Sequence, residues 1–274
     1  MRETGNNLPD VMLLPEIARI YCVTVDDLFK ENTRAYQNYA QRLLSVYEAS
    51  GNSEDFLRAE KEFDRLLKTG DYTTDDLRCL GVLHHYMMKH SRENALKYFD
   101  LVIEKGCDGQ DSEAYYRTCS QKIYLLSEIG RSAESIEQQT AELSKHPENP
   151  RLWLMLIFAY QHAGQVNAAY EQVKKALRKF PDDASLHVSA GDICRSLKYY
   201  NEAFSHWEKA LALDDTYLDA KYSMGFCCEE LGEYEKAYEI WNQVTAELEK
   251  RGFHIEKEWP AQMAKNCLCK MEQA

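Results

Sequence analysis

The sequence predicts an all-α chain, most of it a solenoid of stacked helical hairpins. Two observations point there. Residues 150–251 divide into three contiguous segments of 34 residues, Pro150–Asp183, Ala184–Tyr217 and Leu218–Arg251, which align position by position. A fixed period of this order is the mark of a repeat architecture, in which one hairpin cannot bury its apolar face alone and copies must stack. Only 6 prolines and 12 glycines occur in 274 residues, a composition that favours helices.

The first segment carries Trp153 at repeat position 4, Leu156 at 7, Tyr160 at 11, Gly164 at 15, Ala169 at 20, Ala176 at 27 and Pro181 at 32. The second carries Gly191 at 8, Ala203 at 20, Trp207 at 24 and Ala210 at 27, and the third Gly225 at 8, Gly232 at 15, Ala237 at 20 and Trp241 at 24. Small residues at positions 8 and 20 let the two helices of a hairpin cross closely, and large residues at 4, 11 and 24 are expected to fill the gaps between hairpins. An ordinary helical bundle has no reason to keep three copies in register. This stretch resembles the tetratricopeptide repeat family. The fold it implies is a right-handed tetratricopeptide-repeat solenoid of five to six helical hairpins, closed by a C-terminal capping helix.

The formal net charge is −12, so the chain as written is a poor binder of a phosphate backbone, whose affinity comes from clustered Lys and Arg. Nine cysteines, an odd number, lie mostly within helical patterns. Cys227-Cys228 and Cys267-x-Cys269 are too close to read as a disulfide framework. They read as small apolar fillers in a reducing, cytoplasmic setting. No apolar run approaches the roughly 18 residues of a membrane span, and no basic-then-apolar leader opens the sequence, so neither a membrane partner nor secretion is expected.

Taken in order, residues 1–32 stand apart from the repeats. Pro9 after Gly5-Asn6-Asn7 should start one short helix, and Thr24 should cap another with Asp26 and Asp27 in its first turn. Glu3-Thr4-Gly5, Leu8-Pro9-Asp10, Leu14-x-x-Ile17-Ala18 and Val23-Thr24-Val25-Asp26-Asp27-Leu28-Phe29 occur in that order. Together they resemble the last two helices of an Xre-type helix-turn-helix domain, with Arg2 where that family usually has Trp. The family's earlier helices, including the one that enters the major groove, would precede Glu3. The resemblance therefore implies a remnant that does not itself read DNA, with DNA a partner only of a longer form that carries those helices.

The repeat region is expected over 33–274. A degenerate first repeat falls at about 35–69, broken at Gly51-Asn52-Ser53, with Ala59, Phe63 and Leu66 at positions 20, 24 and 27. The second, 76–109, places Val82, Tyr86, Ala95, Phe99 and Val102 at positions 7, 11, 20, 24 and 27, ends at Gly106 and gives way to the loop Asp108–Asp111. The third, 116–149, has Gly130 at 15, Ser135 at 20 and Pro147 at 32, and the repeats 150–183, 184–217 and 218–251 follow. A cap at 256–273 carries Trp259, Met263, Cys267 and Met271 as one stripe.

No phosphate-binding glycine loop, nucleophile elbow or paired metal motif appears, so no enzyme and no cofactor are expected. Cys79, His84, His85 and His90 are the best metal candidates, but their spacings of one, five and six residues do not converge on one helix face, and no metal is expected. Binding is what the tetratricopeptide resemblance implies. In that family, positions 2, 5, 9, 12 and 13 of each first helix face a concave groove. Carried over, they give the candidates His84, Tyr124, Leu154, Phe158, Gln161, His162, Asp192, Arg195, Tyr222 and Phe226. Aromatic and aliphatic anchors with a few polar groups suit a peptide or protein partner. Leu154, Val188 and Tyr222 stand where a carboxylate clamp would place Lys or Asn, which disfavours an acidic C-terminus as ligand. A tetratricopeptide array behind an Xre-like segment further resembles bacterial transcriptional regulators. That implies a sensor and oligomerisation part in which a ligand shifts a homodimer between two geometries. The alternative is a stand-alone adaptor for protein–protein interaction.

Overall fold

Helix follows helix along residues 11–29, 36–106 and 112–272, which the computed structural model describes. Among the described residues there are thirteen α-helices, two short 3-10 turns and no strand. The chain divides into two compact units, residues 1–100 and 101–274.

In the first unit, a 3-10 turn at Val11–Leu13 leads into α1, Leu14–Ile20, and a second turn follows at Asp26–Phe29. Glu3-Thr4-Gly5, Leu8-Pro9-Asp10 and the join at 31–34 lie outside the described residues. The cap expected at Thr24 forms reciprocally: Asp27 N donates to Thr24 Oγ1 at 3.1 Å, and Thr24 N donates to Asp27 Oδ2 at 3.1 Å. The turn it caps is 3-10, not α. Buried Asp27 also receives Arg42, and Arg19 reaches buried Glu62 at 2.9 Å, so residues 11–29 are tied to α2, Tyr39–Ser50, and α3, Ser53–Thr69. Tyr47, Phe63 and Leu83 fill the core of this unit.

The second expected repeat is not a hairpin. Residues 74–103 form one continuous helix, α4, Thr74–Ile103. Its would-be turn, Lys89-His90-Ser91-Arg92, holds neither Gly nor Pro, so no residue there forces the backbone hydrogen bonds to break. Asp76 pins the start of α4. It accepts from Thr73 N at 2.8 Å, from Asn38 Nδ2 at 2.6 Å and from Gln41 Nε2 at 2.9 Å. The loop expected at Asp108–Asp111 lies outside the described residues.

The described residues of the second unit hold four hairpins and a cap. They are α5, Ser112–Glu128, with α6, Ser132–Lys145; α7, Pro150–His162, with α8, Val166–Lys179; α9, Ala184–Ser196, with α10, Tyr200–Leu213; and α11, Leu218–Glu230, with α12, Tyr234–Lys250. The first helices α7, α9 and α11 start 34 residues apart, and so do the second helices from α6 onward. α5 starts at Ser112, four residues ahead of that rhythm. With α2/α3, the described residues contain five hairpins. Each turn in the second unit closes alike, with a backbone N–H bonding five residues back, as in Gln165 N to Tyr160 O at 2.9 Å and Tyr199 N to Cys194 O at 2.8 Å. That closure needs a left-handed residue. Gly164 supplies it at φ 70°, whereas Lys198 adopts φ 66° at the same repeat position.

The tryptophans at repeat position 24 pack differently from expectation. They lie against the glycine of their own hairpin instead of filling only the space between hairpins. A Cβ on Gly191 would fall inside the Trp207 indole, and one on Gly225 would lie 2.8 Å from Trp241 Cε2. The hairpin before them has Ile157 and Val173 at these two positions, both buried, so bulk has moved from one helix to the other. Trp153 at position 4 does bridge neighbouring hairpins, because it packs against two adjoining clusters. The cap α13, Glu258–Met271, covers the last hairpin through Ala264, Cys267 and Met263. Six cysteines act as expected, with Cys79, Cys119, Cys194, Cys227, Cys228 and Cys267 all buried, but Cys22 is only half-buried and Cys269 is exposed on the cap, so these two are not fillers.

Candidate functional site

Two cavities of similar volume lie on the second unit. One, of about 580 Å³, is lined only by first helices and the residues that cap them. α5 contributes Glu113; α7 contributes Arg151, Leu154 and Met155; α9 and its cap contribute Asp183, Ser185, Val188, Ser189 and Asp192; α11 and its cap contribute Tyr217 and Asp219. The other, about 590 Å³, lies between α10, α11 and α12, around Phe204, Ser205, Met224 and Ile240. There the lining cation Lys236 is already paired with Glu233 at 2.7 Å.

The first cavity is built from the starts of its helices. Asp183 caps α9, accepting from Leu186 N at 2.9 Å, and Ser185 Oγ shares a 2.5 Å hydrogen bond with the Tyr217 hydroxyl. Arg151 lies 4.0 Å from the Tyr116 ring centroid and donates to Glu113 at 2.7 Å, while Arg117 donates to the other oxygen of Glu113 at 3.0 Å. These two guanidiniums hold the Glu113 carboxyl below its ordinary range. Asp192 accepts from Trp207 Nε1 at 3.1 Å. Burial pushes its carboxyl up, its hydrogen bonds and Arg195 oppose that, and nearby Asp219 adds to the rise. The Asp219 side chain has no hydrogen bond or ion pair among the described residues. Leu154, Met155 and Val188 supply the apolar wall.

Of the ten residues expected in the groove, Leu154 and Asp192 line this cavity. Tyr124, Phe158 and His162 form an aromatic group beside one another, with ring centroids 5.7 Å apart for Tyr124–His162 and 4.2 Å for Phe158–His162. Gln161 precedes His162 and is half-buried. Arg195 is engaged across hairpins, donating to Glu230 at 2.9 Å and lying over the Phe226 ring at 5.9 Å. Tyr222 and Phe226 stack with Trp241 and with Trp259 of the cap, at centroid distances of 5.2–6.0 Å. The cap thus occupies the surface that these two residues were expected to offer. His84 is in the first unit, against Phe56 at 5.6 Å and Glu60 at 3.8 Å.

Sequence reasoning missed Arg151, Asp183, Ser185, Tyr217 and Asp219. They sit at repeat positions 2 and 34, at the caps and first turns of α7, α9 and α11. The signal was present, since position 2 belongs to the inward set of the resembled family.

Other reactive groups are engaged or muted. Burial pushes the Cys194 and Cys228 thiols up to about 11, which keeps them protonated at neutral pH. His90 Nδ1 is 3.1 Å from the Tyr47 hydroxyl, His84 is 3.8 Å from Glu60, and Cys79 donates to Asp75 at 3.8 Å. Among the described residues no helix is long and apolar enough to cross a membrane.

A family profile described as Tetratricopeptide repeat matches residues 137–190, which run from α6 through α8 into α9. Among solved structures, the chain is similar to TTC0263, a thermophilic TPR protein of Thermus thermophilus, with 19% identity, a TM-score of 0.50, and 68% of this chain and 95% of that one covered. A tetratricopeptide repeat protein from Parabacteroides merdae is matched at 14% identity, a TM-score of 0.42, and coverage of 80% and 78%. MamA is matched at 17% identity, a TM-score of 0.42, and coverage of 61% and 94%. No curated protein matches the sequence. The fold is that of the tetratricopeptide repeat.

Proposed function

We propose that this chain is an interaction adaptor whose second unit holds a segment of a protein partner on its first-helix face. The observation that carries this reading is the cavity of about 580 Å³ shared by four consecutive first helices, with an apolar wall and a charged rim. Its volume falls within the roughly 300–1,000 Å³ of ligand-binding clefts, and the mixed lining gives both anchors and orientation.

The test is photo-crosslinking in cells from a photo-reactive residue placed at Ser189, which lines this cavity, compared with one at Ser205, which lines the other. The reading expects a discrete protein adduct from Ser189 and none of the same mass from Ser205. An adduct confined to Ser205 would overturn it.

A narrower reading makes the chain the sensor and oligomerisation part of a bacterial transcriptional regulator, acting as a homodimer in the cytoplasm. It rests on the N-terminal resemblance, much of which falls outside the described residues. The cavity serves an adaptor equally well, and the adaptor needs no further domain.

A further inference from the structure

Charge and shape at the first-helix cavity point beyond a generic partner. The apolar wall is Leu154, Met155 and Val188. Around it stand four carboxylates, Glu113, Asp183, Asp192 and Asp219, and one cation, Arg151. That cation is consumed, because Arg151 is bonded to Glu113 and stacked on Tyr116. The positive ends of α5, α7, α9 and α11 offset about half a charge each, which together with Arg151 still leaves the rim negative by about one charge. Asp183 spends an oxygen on its cap, whereas the Asp219 side chain has no bonding partner among the described residues and faces the repulsion of Asp192.

We infer that the partner segment bears a Lys or Arg side chain flanked by aliphatic residues. Its cation would sit between Asp192 and Asp219, with its neighbours against Leu154, Met155 and Val188. The inference rests on the proposed binding face and names the chemistry of its occupant. A cation there relieves the repulsion between Asp192 and Asp219, supplies the bonds Asp219 lacks, and makes ionisation of the half-buried Asp192 easier. An acidic segment would instead add like charge to a site with no free cation in its lining.

The test is selection on the full chain from a random-peptide display library, followed by anisotropy titration of the selected peptides. The titrations use the unmodified chain, Asp219→Asn, and two variants that block the cavity, Ser189→Trp and Leu154→Trp, each checked for folding by circular dichroism. The expected peptides share a Lys or Arg beside Leu, Ile, Val or Met. They lose most of their affinity to both blocking variants and about fivefold to Asp219→Asn, and added salt weakens them less on that variant. Peptides that the blocking variants exclude, but that share no cation and ignore Asp219→Asn, overturn the inference and leave the binding face standing. Peptides indifferent to both blocking variants, or no selected binder at all, overturn both.

Discussion

Gly191 and Gly225 are fixed by what lies on the opposite helix. Each faces an indole that leaves no room for a methyl group. Gly191→Ala should therefore cost about 1–3 kcal/mol in urea unfolding, an overpacking penalty that an exposed helical Gly→Ala change would not show. Trp207→Val combined with Gly191→Ile copies the pair Ile157 and Val173, and should recover more stability than the two single changes predict when summed. Additive losses would mean that the helix crossing is set elsewhere. The period of 34 was legible because small residues recur, but the partner of each small residue was not. Spacing places Trp207 at position 24 without saying which hairpin its ring meets.

At the scale of the element, α4 shows where periodicity stops being informative. Ala95, Phe99 and Val102 keep helical spacing whether or not a turn precedes them, so one helix of 30 residues and two shorter ones look alike until a breaker appears. Four of the five hairpin turns, at Gly51, Gly130, Gly164 and Gly232, were legible because each carries such a breaker, whereas the fifth, at Lys198, was legible only from the period of 34. The network at Asp76 anchors α4. Burial pushes its carboxyl up, but hydrogen bonds from Thr73, Asn38 and Gln41 outweigh that and hold it below its ordinary value. Asp76→Ala should cost about 1–3 kcal/mol, read as an earlier urea midpoint for the first unit. The stability that the depressed pKa adds is complete above about pH 4 and is lost as pH falls through the folded value.

The α9/α10 hairpin carries the opposite ionisation. His187 Nε2 lies 2.9 Å from Pro181 O and so donates to it, which leaves His187 Nδ1 to accept from His206 Nδ1 at 3.0 Å. Burial, then the neighbouring His187, holds His206 below its ordinary value, and burial lowers His162 likewise. The unfolded chain takes up these protons first, so this contribution is complete above about pH 6.5 and shrinks as pH falls below it. Calorimetry should show a lower Tm at pH 5.5 than at pH 7.5, with a smaller difference in His206→Gln. An equal difference in that variant would remove His206 as a source of the effect.

Over the whole molecule, the net charge of −12 and the carboxylate-rich cavity have the same sign, which favours a basic partner. Little of the cavity was legible: of its eleven lining residues the groove candidates included only Leu154 and Asp192, which project from first helices where such positions are easiest to assign. Asp183 and Asp219 look like ordinary helix-start residues in sequence, and only stacking three starts side by side turns them into a rim. The most direct measurement is hydrogen–deuterium exchange on the full chain, with and without a saturating selected peptide. The account predicts slowed exchange concentrated in the first helices α7, α9 and α11. Protection confined to α10 and α12, or to the first unit, would contradict it.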